Sequence, residues 1–192
     1  MRETLAAIFP KIAEIMENKI KIIIATLTLT FISCSSLNEF GSRRNKYNLE
    51  KIKPNRDENA YQIIDTSKIY KLVKIKIVGD EYDRNGLNSM NEKNPSYYKF
   101  YQNGRVGEFR NINLNDIETF NPKKAQSHLY QLKNNKFIVQ EYFKHPQCGE
   151  CYIKKSLTKI SENEIILSSE NYIETYNKIE IPKKYLIYKP DW

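Results

Sequence analysis

The sequence predicts an all-β domain, an antiparallel up-and-down meander forming a barrel or a strongly curved sheet. Three observations lead there. Tyr, Ile, Phe and Val are plentiful while Ala is scarce beyond residue 33, a composition that suits strands. From Tyr61 onward, short apolar-rich runs alternate with turn residues. Nothing in that stretch reads as a helix of three turns, and such regular strand spacing without helices argues for a sandwich or barrel.

The elements follow in order. In Val73-Lys74-Ile75-Lys76-Ile77, Val and Ile alternate with Lys, the period of a strand with one buried face. Tyr97–Tyr101 and Arg105–Phe109 flank Gln102-Asn103-Gly104, and Asn-Gly is a strong hairpin signal. Leu129–Lys133 and Lys136–Phe143 flank Asn134-Asn135, a pair tolerant of positive φ. Tyr152–Ile160 and Glu164–Ser168 flank Ser161-Glu162-Asn163, a third hairpin. Ile173–Ile181 and Lys184–Lys189 bracket Pro182, which suits a strand end. Pro122–Gln126 is short enough for a single helical turn.

Ahead of this domain the chain reads differently. Ile22–Ile32 is an uncharged, mostly apolar run. It is too short for a membrane span of about 20 residues but suits the apolar core of a secretory signal. Lys19 and Lys21 supply the preceding positive charge. Phe31-Ile32-Ser33-Cys34 follows, with a large apolar residue at −3, a small one at −1, then cysteine. This resembles the lipobox of bacterial envelope lipoproteins, with Phe31 where Leu is usual. The resemblance implies diacylglyceryl transfer to the Cys34 sulfur, cleavage before Cys34 and often acylation of the new amino end. Two or more acyl chains anchor stably, whereas one anchors only marginally. Residues 1–33 are thus read as a signal peptide with translation starting at Met16. Residues 34–60 read as the lipidated Cys34 and a polar tether, reaching roughly 28 Å as a flexible coil. Residues 61–192 form the β domain. The expected location is the cell envelope, on the outer membrane and facing the periplasm.

The same layout resembles small envelope lipoproteins with a lipocalin-like barrel. The resemblance rests on Cys34, on Tyr98-Lys99-Phe100-Tyr101-Gln102-Asn103-Gly104-Arg105-Val106, and on the later aromatic-rich hairpins. It covers roughly Ser67–Lys189. The Gly-x-Trp of lipocalins is absent, and Trp192 is the only tryptophan. The resemblance supports a fold more than a ligand.

The formal net charge is +8, of which the first 33 residues contribute one. The basic residues are scattered, and an exported protein seldom meets nucleic acid, so no nucleic-acid partner is expected. An anionic membrane surface suits that charge better.

His145-Pro146-Gln147-Cys148-Gly149-Glu150-Cys151 is the densest cluster of reactive side chains. A tight turn brings Cys148 and Cys151 within disulfide reach, and an oxidising compartment permits the bond, so a structural disulfide is favoured. A thioredoxin-type motif would need a helix after Cys148. Zinc on His145, Cys148 and Cys151 would need a fourth ligand, with His128 the candidate. Glu81, Asp83, Asn85, Gly86 and Glu92 follow the spacing of a calcium loop, although Asp is usual at the first position and an apolar residue at the eighth, here Asn88. A solvated inter-strand loop explains the same residues, and no cofactor is expected.

Catalytic signatures such as GxSxG or HExxH are missing. Asp116 and Glu118 would share one face of a strand, where solvent exposure is the simpler reading. Tyr97, Phe100, Tyr130, Phe137 and Tyr142 are expected to build core, or else to line a ligand cavity. The sequence therefore points to a non-enzymatic, lipid-anchored envelope module. It would bind a small apolar ligand or lipid, or alternatively dock an envelope protein or polymer.

Overall fold

A computed structural model of the chain describes Lys19, Lys21 and residues 36–44, 52–79, 86–147 and 149–192. The chain divides into two units, Met1–Ser35 and Ser36–Trp192. In the first, Lys19 and Lys21 are helical and exposed. The apolar run from Ile22 and Cys34 lie outside the described residues, as do Glu81, Asp83, Asn85 and Cys148. Among the described residues, no helix is long and apolar enough to cross a membrane.

The second unit opens with a two-stranded ribbon, β1 (Ser36–Leu37) and β2 (Arg43–Arg44). Eight strands then form a closed barrel. They are β3 (Ile69–Ile77), β4 (Ser96–Phe100), β5 (Arg105–Arg110), β6 (Gln126–Lys133), β7 (Lys136–His145), β8 (Gly149–Lys159), β9 (Glu164–Ser168) and β10 (Tyr172–Ile179). Each pairs antiparallel with the next in sequence. The last closes on the first, with Tyr172 opposite Ile77 and Ile179 opposite Ile69. The expected meander is thus a complete up-and-down barrel, which removes free sheet edges.

The turns follow the chemistry of their residues. Asn134 and Asn135 both adopt positive φ, 51° and 58°, the conformation of a two-residue hairpin turn. Gly104 has φ 77°, closing the three-residue loop after Tyr101. Gly104 also admits a neighbour: a Cβ there would stand 2.0 Å from the Asn55 backbone nitrogen.

That neighbour marks one departure from the sequence reading. Residues 52–60, taken above as tether, pack on the barrel. The Asn55 N–H donates to the Tyr130 carbonyl at 2.9 Å, and its side-chain oxygen accepts the Leu132 N–H at 2.9 Å. Asn55 thereby borrows the hydrogen-bonding groups at the end of β6. A 3-10 helix, Glu58–Gln62, follows and buries Ala60 completely.

Three further expectations change. Val73 is 43% exposed because a bulge there lets Thr175 oppose Lys74 and Tyr176 oppose Leu72. The buried alternation on β3 therefore runs through Tyr70 and Leu72. The segment Lys184–Lys189 is no strand. Lys183–Ile187 forms a 3-10 turn after Pro182, which packs Tyr185 against Phe120, their rings stacked at 4.6 Å. Finally, α1 (Leu87–Lys93) occupies what read as solvated loop. The single turn near Pro122 is present as a 3-10 turn, Pro122–Lys124.

Two apolar clusters hold the unit together. Inside the barrel, Tyr70, Phe100, Val106, Tyr130, Phe137, Leu157, Ile165 and Leu167 pack towards one end, beneath Ala60 and Ile64. Tyr130 and Phe137 stack at 5.2 Å, and Phe100 meets Tyr70 edge-on at 5.4 Å. Outside it, Ile69, Tyr97 and Phe109 are covered by Phe120, Ala125, Ile181 and Tyr185. Both faces of β4 are consequently buried.

Two substitutions test this account. Gly104→Ala should destabilise by more than about 2 kcal/mol in urea unfolding, since it combines a left-handed φ with a collision against backbone. Phe100→Ala should cost about 3–5 kcal/mol, the range for deleting a fully buried aromatic ring.

Candidate functional site

The barrel interior changes character along its axis. Towards one end of the barrel the inward positions turn from aromatic to charged. Glu108 on β5, Glu141 on β7, Lys155 on β8 and Glu174 on β10 all point inward, with Tyr98 of β4 and Tyr176 of β10 beneath them. They line a cavity of about 540 Å³, bounded on one side by Leu72, Ile75 and α1.

The helix sits where two strands part. The β3–β4 ladder pairs only Tyr70 with Tyr98 and Lys71 with Tyr97. Beyond it, side chains of α1 take over the backbone partners. Asn88 accepts the Ile75 N–H at 2.7 Å and donates to the Ile75 carbonyl at 2.9 Å, as a neighbouring strand would. Asn91 donates to the Leu72 carbonyl at 2.9 Å and accepts the Ser96 N–H at 3.1 Å. The helix thus closes the gap in the wall while leaving space beneath it.

Two linked clusters organise the charges. Lys155 bridges Glu141 at 2.7 Å and Glu174 at 2.7 Å. Tyr98 donates its hydroxyl to Glu141, and Tyr176 donates to Glu174 at 3.0 Å. Burial works to lower the Lys155 ammonium, but the two carboxylates outweigh it and raise it above its ordinary value. Burial raises the Glu174 carboxyl despite Lys155. Burial also drives the Tyr98 and Tyr176 hydroxyls far up, so both remain donors. The contacts from Tyr98 and Lys155 both fall on Glu141 Oε1. Its Oε2 faces no donor among the described residues, although the side chain is only 12% exposed.

Glu108 anchors the second cluster. It accepts from Ser96 at 2.8 Å, from Arg110 at 2.5 Å and from His128 Nε2 at 3.2 Å. Burial pushes this carboxyl up, but the His128 and Ser96 hydrogen bonds and the Arg110 charge overcome it and hold it down to about 2. His128 Nδ1 accepts the Tyr142 N–H at 3.1 Å, so Nε2 carries the proton that Glu108 receives.

The residues singled out from sequence fall elsewhere. Both His128 ring nitrogens are engaged inside the barrel, which removes it as the fourth zinc ligand. His145 ends β7, opposite Gly149, and its Nδ1 accepts the Gln147 N–H at 3.2 Å. Cys151 lies on β8 opposite Phe143. Cys148 lies outside the described residues. Glu92 sits on the exposed side of α1 and Gly86 precedes the helix at φ 63°. The other calcium candidates lie outside the described residues. Among those described, no three His, Cys, Asp or Glu side chains converge as a metal site. Asp116 and Glu118 share no strand face: Asp116 caps the 3-10 turn Ile117–Phe120 by accepting the Glu118 N–H. Glu118 accepts the Tyr188 hydroxyl at 2.8 Å. Phe100, Tyr130 and Phe137 are interior core, Tyr97 belongs to the outer cluster, and Tyr142 lies beside Tyr152 at 5.6 Å.

The carboxylates of the cup escaped the sequence reading. Glu141 and Lys155 sit in step with Val139 and Leu157, so the two-residue period did carry a signal. A charged residue at an inward position reads as an outward one until the register is known.

The geometry defines a closed eight-stranded barrel with a charged, helix-capped cup at one end. Comparison with protein-family models, with curated proteins and with solved structures finds no match.

The cup makes two predictions. Lys155→Met should destabilise by about 3–5 kcal/mol, because it leaves two buried carboxylates unpaired. Neutralising both partners as well (Glu141→Gln and Glu174→Gln) should recover much of that loss in the same unfolding assay. Glu108 has its folded value depressed, so its stabilisation is complete above the unfolded value near 4.5 and disappears as pH falls towards 2. Urea midpoints measured from pH 6 to 2 should show about 3 kcal/mol lost over that window, and Glu108→Gln should flatten it.

Proposed function

We propose that the chain is a lipid-anchored envelope lipoprotein whose barrel is a non-enzymatic binding module for a small polar amine. The anchor is supported by the sequence alone, through Ile22–Ile32 and Cys34. Export also supports a Cys148–Cys151 disulfide beside the β7–β8 turn.

The ligand class is supported by one observation above the rest: buried Glu141 lines the cavity, and among the described residues its hydrogen bond and ion pair both fall on Oε1, leaving Oε2 without one. In the deep part of the cup, three carboxylates face a single buried ammonium, since Arg110 is half exposed at the rim. A protonated amine supplies both the missing donor and a compensating charge. This favours a polar ligand over the apolar one anticipated from the aromatic content. The aromatic rings that could have walled an apolar pocket contact one another instead. An eight-stranded barrel has room for packed side chains or one small ligand. This one divides its length between them.

Two measurements test the proposal. Metabolic palmitate labelling should be abolished by Cys34→Ala; labelling that persists would remove the anchor. Titration calorimetry of the full chain should show small primary amines such as ethanolamine binding at least tenfold more tightly than neutral acetamide. Glu141→Gln should erase that preference. Equal affinities for amine and amide, or an unchanged preference in the variant, would reject the cup as an amine site.

A further inference from the structure

A second cavity, of about 470 Å³, opens on the outer wall of the barrel between the end of β4 and the C-terminal segment. Lys99 forms its charged part. On β4 this residue alternates with Tyr98 and Phe100 and so faces out of the barrel, yet it is only 6% exposed. Its ammonium donates to the Thr66 carbonyl and lies 5.6 Å from the Tyr101 ring centroid. Among the described residues it has no ion-pair partner. A buried ammonium without a counter-charge is an unfavourable arrangement, because its desolvation is not repaid by a nearby anion.

The groups facing Lys99 give little compensation. Asp65, on the segment leading into β3, is engaged with Ser67, whose N–H and hydroxyl it accepts at 2.8 and 2.6 Å. From the C-terminal segment come Tyr188, committed to Glu118, and Lys189, a second positive charge. From the β4–β5 turn come Tyr101, Gln102 and Asn103. Burial accordingly lowers the Lys99 ammonium to about 8, with Asp65 opposing only in part.

The rest of the wall is largely apolar, built from the Tyr101 and Tyr188 rings, Pro190 and Leu186. Leu186 is itself 38% exposed at the rim, and Ile187 beside it 68%. We propose that this cavity is a binding site for a small amphiphilic carboxylate. Its head group would pair with the Lys99 ammonium, and its short hydrocarbon body would lie against Tyr101, Leu186 and Pro190. The volume falls within the range of small-molecule pockets, whose usual make-up is a mostly apolar lining with a few placed polar or charged groups; here the buried charge is Lys99. The site is separate from the amine cup, and either can fail without the other.

Octanoate is a suitable probe, used with the full chain well below its micelle concentration. Calorimetry at pH 7 should show octanoate binding at least tenfold more tightly than octanol. Because the carboxylate needs the protonated amine, affinity should fall roughly tenfold for each pH unit above about 8. Lys99→Met should abolish the preference for octanoate over octanol. Lys99→Arg, which keeps the charge, should retain binding and lose the pH dependence, and circular dichroism of both variants checks that they fold. Nuclear magnetic resonance of lysines carrying ¹³C at Cε should place one titration near pH 8, missing in Lys99→Arg, that moves upward when octanoate is added. Octanol binding as well as octanoate, undiminished octanoate binding in a folded Lys99→Met, or a Lys99 titration indifferent to octanoate would each overturn the assignment.

Discussion

Pairing of β10 with β3 is the constraint on which the molecule depends. Eight register positions, from Tyr172 opposite Ile77 to Ile179 opposite Ile69, turn an eight-stranded sheet into a barrel. Closure fixes how many side chains must share the interior and which residue of each pair points inward. Once that register is set, Tyr70, Phe100, Tyr130 and Phe137 have no direction to go but towards one another. Glu108, Glu141, Lys155 and Glu174 are likewise forced together at the other end. The charged cluster is therefore imposed by the ladder, and its ion pairs make the enclosure tolerable. A buried ion pair seldom outperforms well-packed hydrocarbon, so three carboxylates inside a small barrel are not accounted for by stability.

The seam has one imperfection, and it shapes the cup. The Val73 bulge shifts β3 against β10, and the β3–β4 ladder stops after two pairs. Without α1 the wall would stand open there, with the Leu72 and Ile75 backbone groups unpaired. Asn88 and Asn91 supply those partners from side chains, which hold a wall position without the continuous contact of a strand. The cup consequently has one side made by a short helix rather than by the sheet.

Much of this was legible in the sequence, and the reasons for the remainder are physical. The hairpins at Asn103-Gly104, Asn134-Asn135 and Glu162-Asn163 could be read because their turn residues accept conformations that others avoid. Two of them carry positive φ in the structure, at Gly104 and at the Asn134-Asn135 pair. The seven-residue helix Leu87–Lys93 could not be read, because it is held by Asn88 and Asn91 reaching strands distant in sequence. Lys184–Lys189 looked like a strand from its Tyr and Ile content, yet every ladder position was already taken, and Tyr185 instead covers the outer face. The cup went unread because its four charged members come from four strands, and a Glu or Lys in step with apolar residues reads as an outward one until the register is known. Lys99 was hidden for the opposite reason. Outward on a strand ordinarily means solvated, and here the outer face is roofed by the C-terminal segment.

That roof is fastened in a particular way. Arg44 of the N-terminal ribbon donates to the Ala125 carbonyl at 2.8 Å and to the Pro122 carbonyl at 3.0 Å, pairs with Asp191 at 3.0 Å, and lies 4.7 Å from the Trp192 ring centroid. The two extremities of the unit are thus latched to each other. Mechanical tension on the chain ahead of Ser36 would load this latch before any ladder of the barrel. The latch ties the start of the unit to its end without using any backbone ladder of the barrel.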